Sequence, residues 1–250
     1  MLNNLIYYPS KEHIDNPSNH NIIYKDIIVN DIYHGWLIEY TVNNKPEFIN
    51  NKYILFLHGN AGNISNRMTY ITKFYSTGFN MLIIDYPGFG ISKGTATRKE
   101  NLKCCALFLK YLVNTLGIKL NNIILYGESI GGYFAIELAN MYNIKYLILQ
   151  STFTNLNELV KNKFSIGLLT KYINLGYDNI ENIKKRYKRN KIEKKLNTLV
   201  IHSKTDELIP YEHSTILEKY STSFYECDGK HSSPVIDNKY INAIIKFISN

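Results

Sequence analysis

The chain is poor in cysteine. Three occur in 250 residues, and two of them, Cys104 and Cys105, are adjacent. Neighbouring thiols seldom bridge, and no C-x-x-C spacing offers a redox pair or half a zinc site, so no disulfide framework follows. The thiols are expected to be buried and reduced, as suits a cytoplasmic location. Long apolar runs are lacking too. No stretch approaches the roughly 20 residues that a membrane-spanning helix needs. Residues Met1 to Pro9 show neither the cationic head nor the apolar run of a secretory leader. Leu2 excludes N-myristoylation, and the C-terminus has no prenylation cysteine. There is no H-E-x-x-H, and the pair Gly88 and Gly90 lacks the third glycine of a dinucleotide fingerprint. Neither a metal nor another cofactor is expected. Internal repeats and low-complexity linkers are absent, so residues 1–250 are expected to form one domain.

Acidic residues are fewer than basic ones, 21 against 29, for a net charge of +8. The excess is local. Residues 184–195 hold eight basic residues and one acidic residue, a net +7. Charge gathered in one patch does not suit a nucleic-acid-binding face, and no nucleic acid partner is expected. A solvated surface explains the patch, and peripheral contact with an anionic membrane is the functional alternative.

Hydrophobic residues make up 45% of the chain, enough for a sizeable core. Ile22 to Val29 and Ile32 to Thr41 read as two strands joined at Asn30-Asp31. Four continuous apolar runs follow, at 53–57, 81–84, 123–126 and 146–149. Helical spacing separates them at 63–77, 97–116 and 130–142. Continuous apolar strands alternating with helices predict an α/β protein with a mostly parallel sheet covered on both faces. The rhythm breaks at about 152–195, which reads as a cap-like insertion. It then resumes with strands at 198–202 and 223–226 and helices at 212–220 and 240–248.

Gly127-Glu128-Ser129-Ile130-Gly131 follows an apolar run and opens a helical one. Such a strand-to-helix turn lifts a serine side chain above a sheet edge, which makes Ser129 the candidate nucleophile. A serine needs a base. His231 follows the last strand and is the first choice, with His202 as its rival. His213 reads as a packing or surface residue, and His13, His20 and His34 lie outside the alternating core. The imidazole needs a carboxylate to fix its tautomer. Asp206 is the first choice, with Glu207 and Asp228 behind it. An oxyanion hole would use the backbone N–H groups of Ile130 and Asn60. His58 and Asp85 are expected to brace their loops.

The motifs HGNAGN at 58–63, DYPGFGISKG at 85–94 and GESIGG at 127–132 resemble those of the α/β-hydrolase superfamily. The likeness runs from about Ile22 to the C-terminus, and the order Ser129, Asp206, His231 is the order of that superfamily's triad. Within it the motifs look like those of a compact branch that includes protein depalmitoylases and lysophospholipases. The resemblance implies a central, mostly parallel eight-stranded sheet with helices on both faces and a small cap. It also implies hydrolysis of an acyl ester or thioester without a cofactor. A serine peptidase and a catalytically weak binding protein are the other functions such a scaffold could carry. Apolar Phe164, Leu168 and Leu169 are candidates for lining an acyl pocket. The chain departs from the branch in having Ser203 after His202, where glycine is usual, and in lacking an acidic or amide residue just after His231.

Overall fold

The computed structural model describes residues 6–41, 51–164, 175–193 and 196–249. The first two strands, β1 (Tyr24–Val29) and β2 (Tyr33–Ile38), form a hairpin. Asn30 and Asp31 both take positive φ at its turn, 53° and 60°. That pairing matches the right-handed twist of the strands it joins. The apolar runs become β3 (Tyr53–Leu57), β4 (Asn80–Ile84), β5 (Ile123–Glu128) and β6 (Tyr146–Gln150), followed by β7 (Asn197–Ser203) and β8 (Ser223–Cys227). Together they make an eight-stranded sheet in the order β8-β7-β6-β5-β3-β4-β2-β1. β3 to β8 run parallel, and β2 pairs antiparallel with β1 and β4.

Side chains alternate across a strand, so each strand feeds two cores. Leu55, Leu57, Leu82, Leu125 and Leu147 point to one face. There they meet Phe108 of α2 (Arg98–Lys110), Phe134 and Leu138 of α3 (Gly131–Met141), and Ile183 of α5 (Asn179–Glu193). Ile54, Phe56, Ile83, Tyr126 and Ile148 point to the other. They meet Ile71 and Phe74 of α1 (Met68–Ser76) and Tyr240, Ile244 and Phe247 of α7 (Asn238–Ser249). All three cysteines are free and buried.

The helix expected at 63–77 starts as a tight 3-10 turn, Ile64–Arg67, because Asn63 and Asn66 cap each other's backbone N–H groups. The helix expected to run to Leu116 ends as α2 at Lys110 and continues as one π-helical turn, Tyr111–Thr115. Gly117 follows at a φ of 69°.

The segment expected as an insertion contains α4 (Leu156–Phe164) and α5. α5 packs on α3 and supplies the crossover that parallel β6 and β7 require. Of the residues nominated for an acyl pocket, Leu168 and Leu169 lie outside the described residues, as does the side chain of Phe164. Arg186 corrects one expectation about the basic segment. It is 1% exposed, and its guanidinium donates to Thr198 Oγ1 and to the carbonyls of Ile144, Lys145 and Asn197. It caps the entry ends of β6 and β7 and is not part of any charged surface.

Candidate functional site

The strand order reverses between β3 and β5, whose chains leave the sheet in opposite directions. The crevice at the carboxyl ends of such strands is where open α/β sheets place their sites. Residues 58–63 leave β3 there, and Ser129 leaves β5.

Ser129 sits at a φ of 55°, a conformation that non-glycine residues seldom take. The turn that holds it is packed by backbone. A Cβ on Gly127 would come within 2.5 Å of Gly132 Cα, and one on Gly131 would collide with the Leu57 carbonyl oxygen. The glycines of the motif are therefore demanded by close approach. Thr152 Oγ1 donates to the Ser129 carbonyl at 2.7 Å and steadies the turn from β6's far end.

Ser129 Oγ lies 3.1 Å from His231 Nε2, and His231 Nδ1 lies 2.8 Å from Asp206 Oδ2. The carboxylate fixes the proton on Nδ1, which leaves Nε2 to accept from the serine. Asp206 is itself held. Its Oδ1 accepts the N–H groups of Leu208 and Ile209 at 2.9 and 2.8 Å. Burial alone would raise the Asp206 carboxyl. Hydrogen bonds from His202 and His231, together with the Ile209 N–H, outweigh it and hold the group well below the usual carboxylate range.

The alternatives considered in the sequence fall elsewhere. His202 is fully buried, donates from Nε2 to the Ile209 carbonyl at 3.0 Å and approaches Asp206 Oδ2 at 3.3 Å. It supports the acid. Glu207 accepts the backbone N–H of His231 at 3.0 Å and so shapes the histidine loop. The Asp228 backbone carbonyl accepts from Val235. His213 lies in α6 (Glu212–Glu218), where its Nδ1 bonds Thr154 Oγ1 at 2.8 Å.

The backbone groups of the loop after β3 can be followed one by one. Gly59 N–H donates to Glu128, and its carbonyl accepts from His58 Nδ1. The carbonyls of Asn60 and Gly62 accept from Tyr8 and Ser10, and that of Ala61 accepts from Arg67. Asn60 N–H has no acceptor among the described residues, and neither has Ile130 N–H at the start of α3. Both were named from the sequence as oxyanion donors. His58 does brace this loop. Burial, reinforced by the charge of Arg67, pushes its imidazole down to about 4, so it is a neutral donor at pH 7.

Asp85 braces the neighbouring loop. Its Oδ1 accepts from the Ile64 N–H at 3.0 Å, and its Oδ2 meets His13 Nε2 at 2.9 Å and His34 Nδ1 at 3.2 Å. These three residues are the group with metal-ligand spacing among the described residues. Their donor atoms are already engaged with one another, and a side chain on Gly90 would collide with Asp85 Oδ2. The group is a closed ionic clamp.

Sequence reasoning missed the chain's first described segment. Residues 8–9 pair with residues 61–62 in a short parallel ladder, and Asn60 Nδ2 donates to the Ile6 carbonyl at 2.9 Å. It also missed the buried pair of Arg67 and Glu128, which lie 61 positions apart and share no motif.

Comparison with known proteins places these features in a family. A family model described as serine aminopeptidase, S33 (Hydrolase_4), matches residues 50–173. An uncharacterized protein of Acanthamoeba polyphaga mimivirus is 32% identical over 212 residues, which cover 76% of this chain and 70% of that one. The chain belongs to one family with that protein, and its fold is that of the α/β-hydrolases. The crystal structure of an α/β-hydrolase from Vibrio vulnificus matches 98% of this chain and 91% of its own, with a TM-score of 0.76 at 18% identity. A Pyrococcus furiosus esterase matches 98% of this chain and 97% of its own, with a TM-score of 0.70 at 18% identity. The chain thus has the fold that its strand rhythm predicts.

Proposed function

We propose that this α/β-hydrolase is a serine esterase or thioesterase that works through an acyl-enzyme on Ser129. The observation that carries the reading is the unbroken relay from Ser129 Oγ through His231 to Asp206 Oδ2. Ser129 Oγ attacks the carbonyl carbon as His231 Nε2 takes its proton. His231 returns that proton to the departing alcohol or thiol, and the acyl group stays on Ser129. Water then attacks the acyl carbon, giving its proton to Nε2, and the acid leaves as Ser129 is restored. The N–H groups of Ile130 and Asn60 receive the oxyanion in both halves. Asp206 stabilises the imidazolium and stays ionised throughout. No step needs a cofactor.

The fold likeness to the P. furiosus esterase supports the ester reading. The resemblance of the three loop motifs to those of the depalmitoylase and lysophospholipase branch supports an acyl ester or thioester substrate. Three buried, unpaired thiols suit a reducing compartment such as the cytoplasm. A second reading, a serine peptidase, is favoured by the description of the matching family model. Fluorophosphonate labelling tests the common core: wild type is expected to label stoichiometrically and Ser129→Ala not at all. Absence of labelling on folded wild type would remove the proposal. A matched panel of esters, thioesters and amides then separates the two readings.

A further inference from the structure

Glu128 and Arg67 adjoin the relay but take no part in the chemistry above. Arg67 reaches Glu128 with two nitrogens, Nε to Oε2 at 2.9 Å and Nη2 to Oε1 at 3.3 Å. Their side chains are only 11% and 9% exposed. Taking two charges out of water is costly, and such pairs often add nothing to stability. Their placement calls for another reason, and their remaining bonds supply it.

Glu128 Oε2 also accepts the Gly59 N–H at 3.2 Å, and Arg67 Nη1 donates to the Ala61 carbonyl at 3.0 Å. Those two bonds straddle Asn60, whose own N–H has no acceptor among the described residues. Glu128 is the residue immediately before Ser129. The loop and the serine are close enough that a Cβ on Gly59 would stand 3.5 Å from Ser129 Cβ. The geometry points to Arg67 and Glu128 as positioning residues that fix the Asn60 N–H relative to Ser129 Oγ. This rests on the reading of Ser129 as nucleophile and Asn60 as oxyanion donor.

The pairing of charges follows from the same role. A carboxylate alone beside the site would oppose the negative charge that builds on the substrate oxygen. Arg67 cancels it, and the charge of Arg67 keeps the buried Glu128 carboxyl ionised. From outside, Tyr8 and Ser10 hold the same loop through the carbonyls of Asn60 and Gly62. Removing the pair should therefore loosen the loop without unfolding it.

The test compares Arg67→Met/Glu128→Leu, which leaves no buried charge, with wild type and with Glu128→Gln, which keeps an acceptor for Gly59. Active sites are counted by end-point fluorophosphonate titration, and kcat is expressed per titrated site on a soluble ester. The double variant should melt close to wild type and lose about 100-fold in kcat, with KM within about threefold. Glu128→Gln should retain most of the rate. Should the double variant fold poorly, Arg67→Lys decides: it keeps the charge but cannot span Glu128 and the Ala61 carbonyl together, so kcat should still fall several-fold. Wild-type kcat per titrated site in the double variant or in Arg67→Lys overturns the inference, as does a loss confined to melting temperature. A wild type that neither labels nor turns over would instead defeat the reading of Ser129 beneath it.

Discussion

At the scale of single residues, Asp206 shows why one acid serves where three were available. Its Oδ2 faces His231 Nδ1, and its Oδ1 is filled by two backbone N–H groups, so the carboxylate cannot turn away. Glu207 is the next residue, yet its contact with His231 is to the backbone N–H and not to the imidazole. Asp206→Asn should therefore lower kcat by about 10⁴-fold by favouring the wrong histidine tautomer. Glu207→Gln should cost little. Steady-state kinetics on one soluble ester checks both, and comparable losses would move the acid to Glu207. Ser129, Asp206 and His231 could be nominated because each lies within four residues after a strand, and a strand end announces itself by where an apolar run stops. Arg67 and Glu128 were not. Nothing near Arg67 marks it, since its partner is brought to it by the packing of α1 against the sheet, 61 positions along the chain.

Among the secondary-structure elements, the least legible connection was the one between the hairpin and the first described segment. His13, Asp26 of β1, His34 of β2 and Asp85 after β4 form a single chain of ion pairs. Read one by one, these histidines merely lay outside the alternating core. Their partners are 72, 51 and 8 positions away, and no periodicity joins them. The clamp predicts a pH window. Burial would raise the Asp85 carboxyl, but hydrogen bonds from His13 and His34 outweigh it and lower the group to about 2. Its folded-state pKa lies below the unfolded value, so its stabilisation is complete above about pH 4 and is lost as pH falls toward 2. His34 works in the opposite sense. Burial lowers it, yet Asp85 and Asp26 raise it overall. Its contribution is complete below its ordinary value of about 6.5 and fades as pH rises through the raised one. The clamp is strongest between those limits. Melting temperatures of wild type and His34→Gln/Asp85→Asn should differ most near pH 5 and converge in acid. A constant difference from pH 2.5 to 9 would show that the clamp's ionisation contributes nothing.

For the whole molecule, the basic segment is the feature whose place matters most. Its helix was hard to see because a stripe spaced like Asn179, Ile183 and Arg186 is buried with an arginine where an apolar residue would be expected. α5 begins beside Thr152 and Thr154, just past the carboxyl end of β6. By Arg186 it has reached the opposite ends of β6 and β7. Lys184, Lys185, Lys188 and Lys191 are exposed on its outer side. The later turns of α5 therefore lie along the sheet from the edge that carries Ser129. No helix among the described residues is long and apolar enough to cross a membrane. We propose peripheral contact of these lysines with an anionic lipid surface, an arrangement that holds the site away from the lipid. Each lysine near such a surface contributes about 1 kcal/mol. Lys184→Gln/Lys185→Gln/Lys188→Gln should then weaken binding to phosphatidylserine vesicles about 100-fold at low salt. Turnover of a soluble ester should not change, because the lysines are exposed on the outer side of α5 and touch no residue of the relay. Sedimentation with vesicles, run beside the ester assay, reads both quantities. Undiminished vesicle binding by the triple variant would remove the lipid contact. A fall in turnover without vesicles would mean that α5 shapes the site through α3, against which it packs.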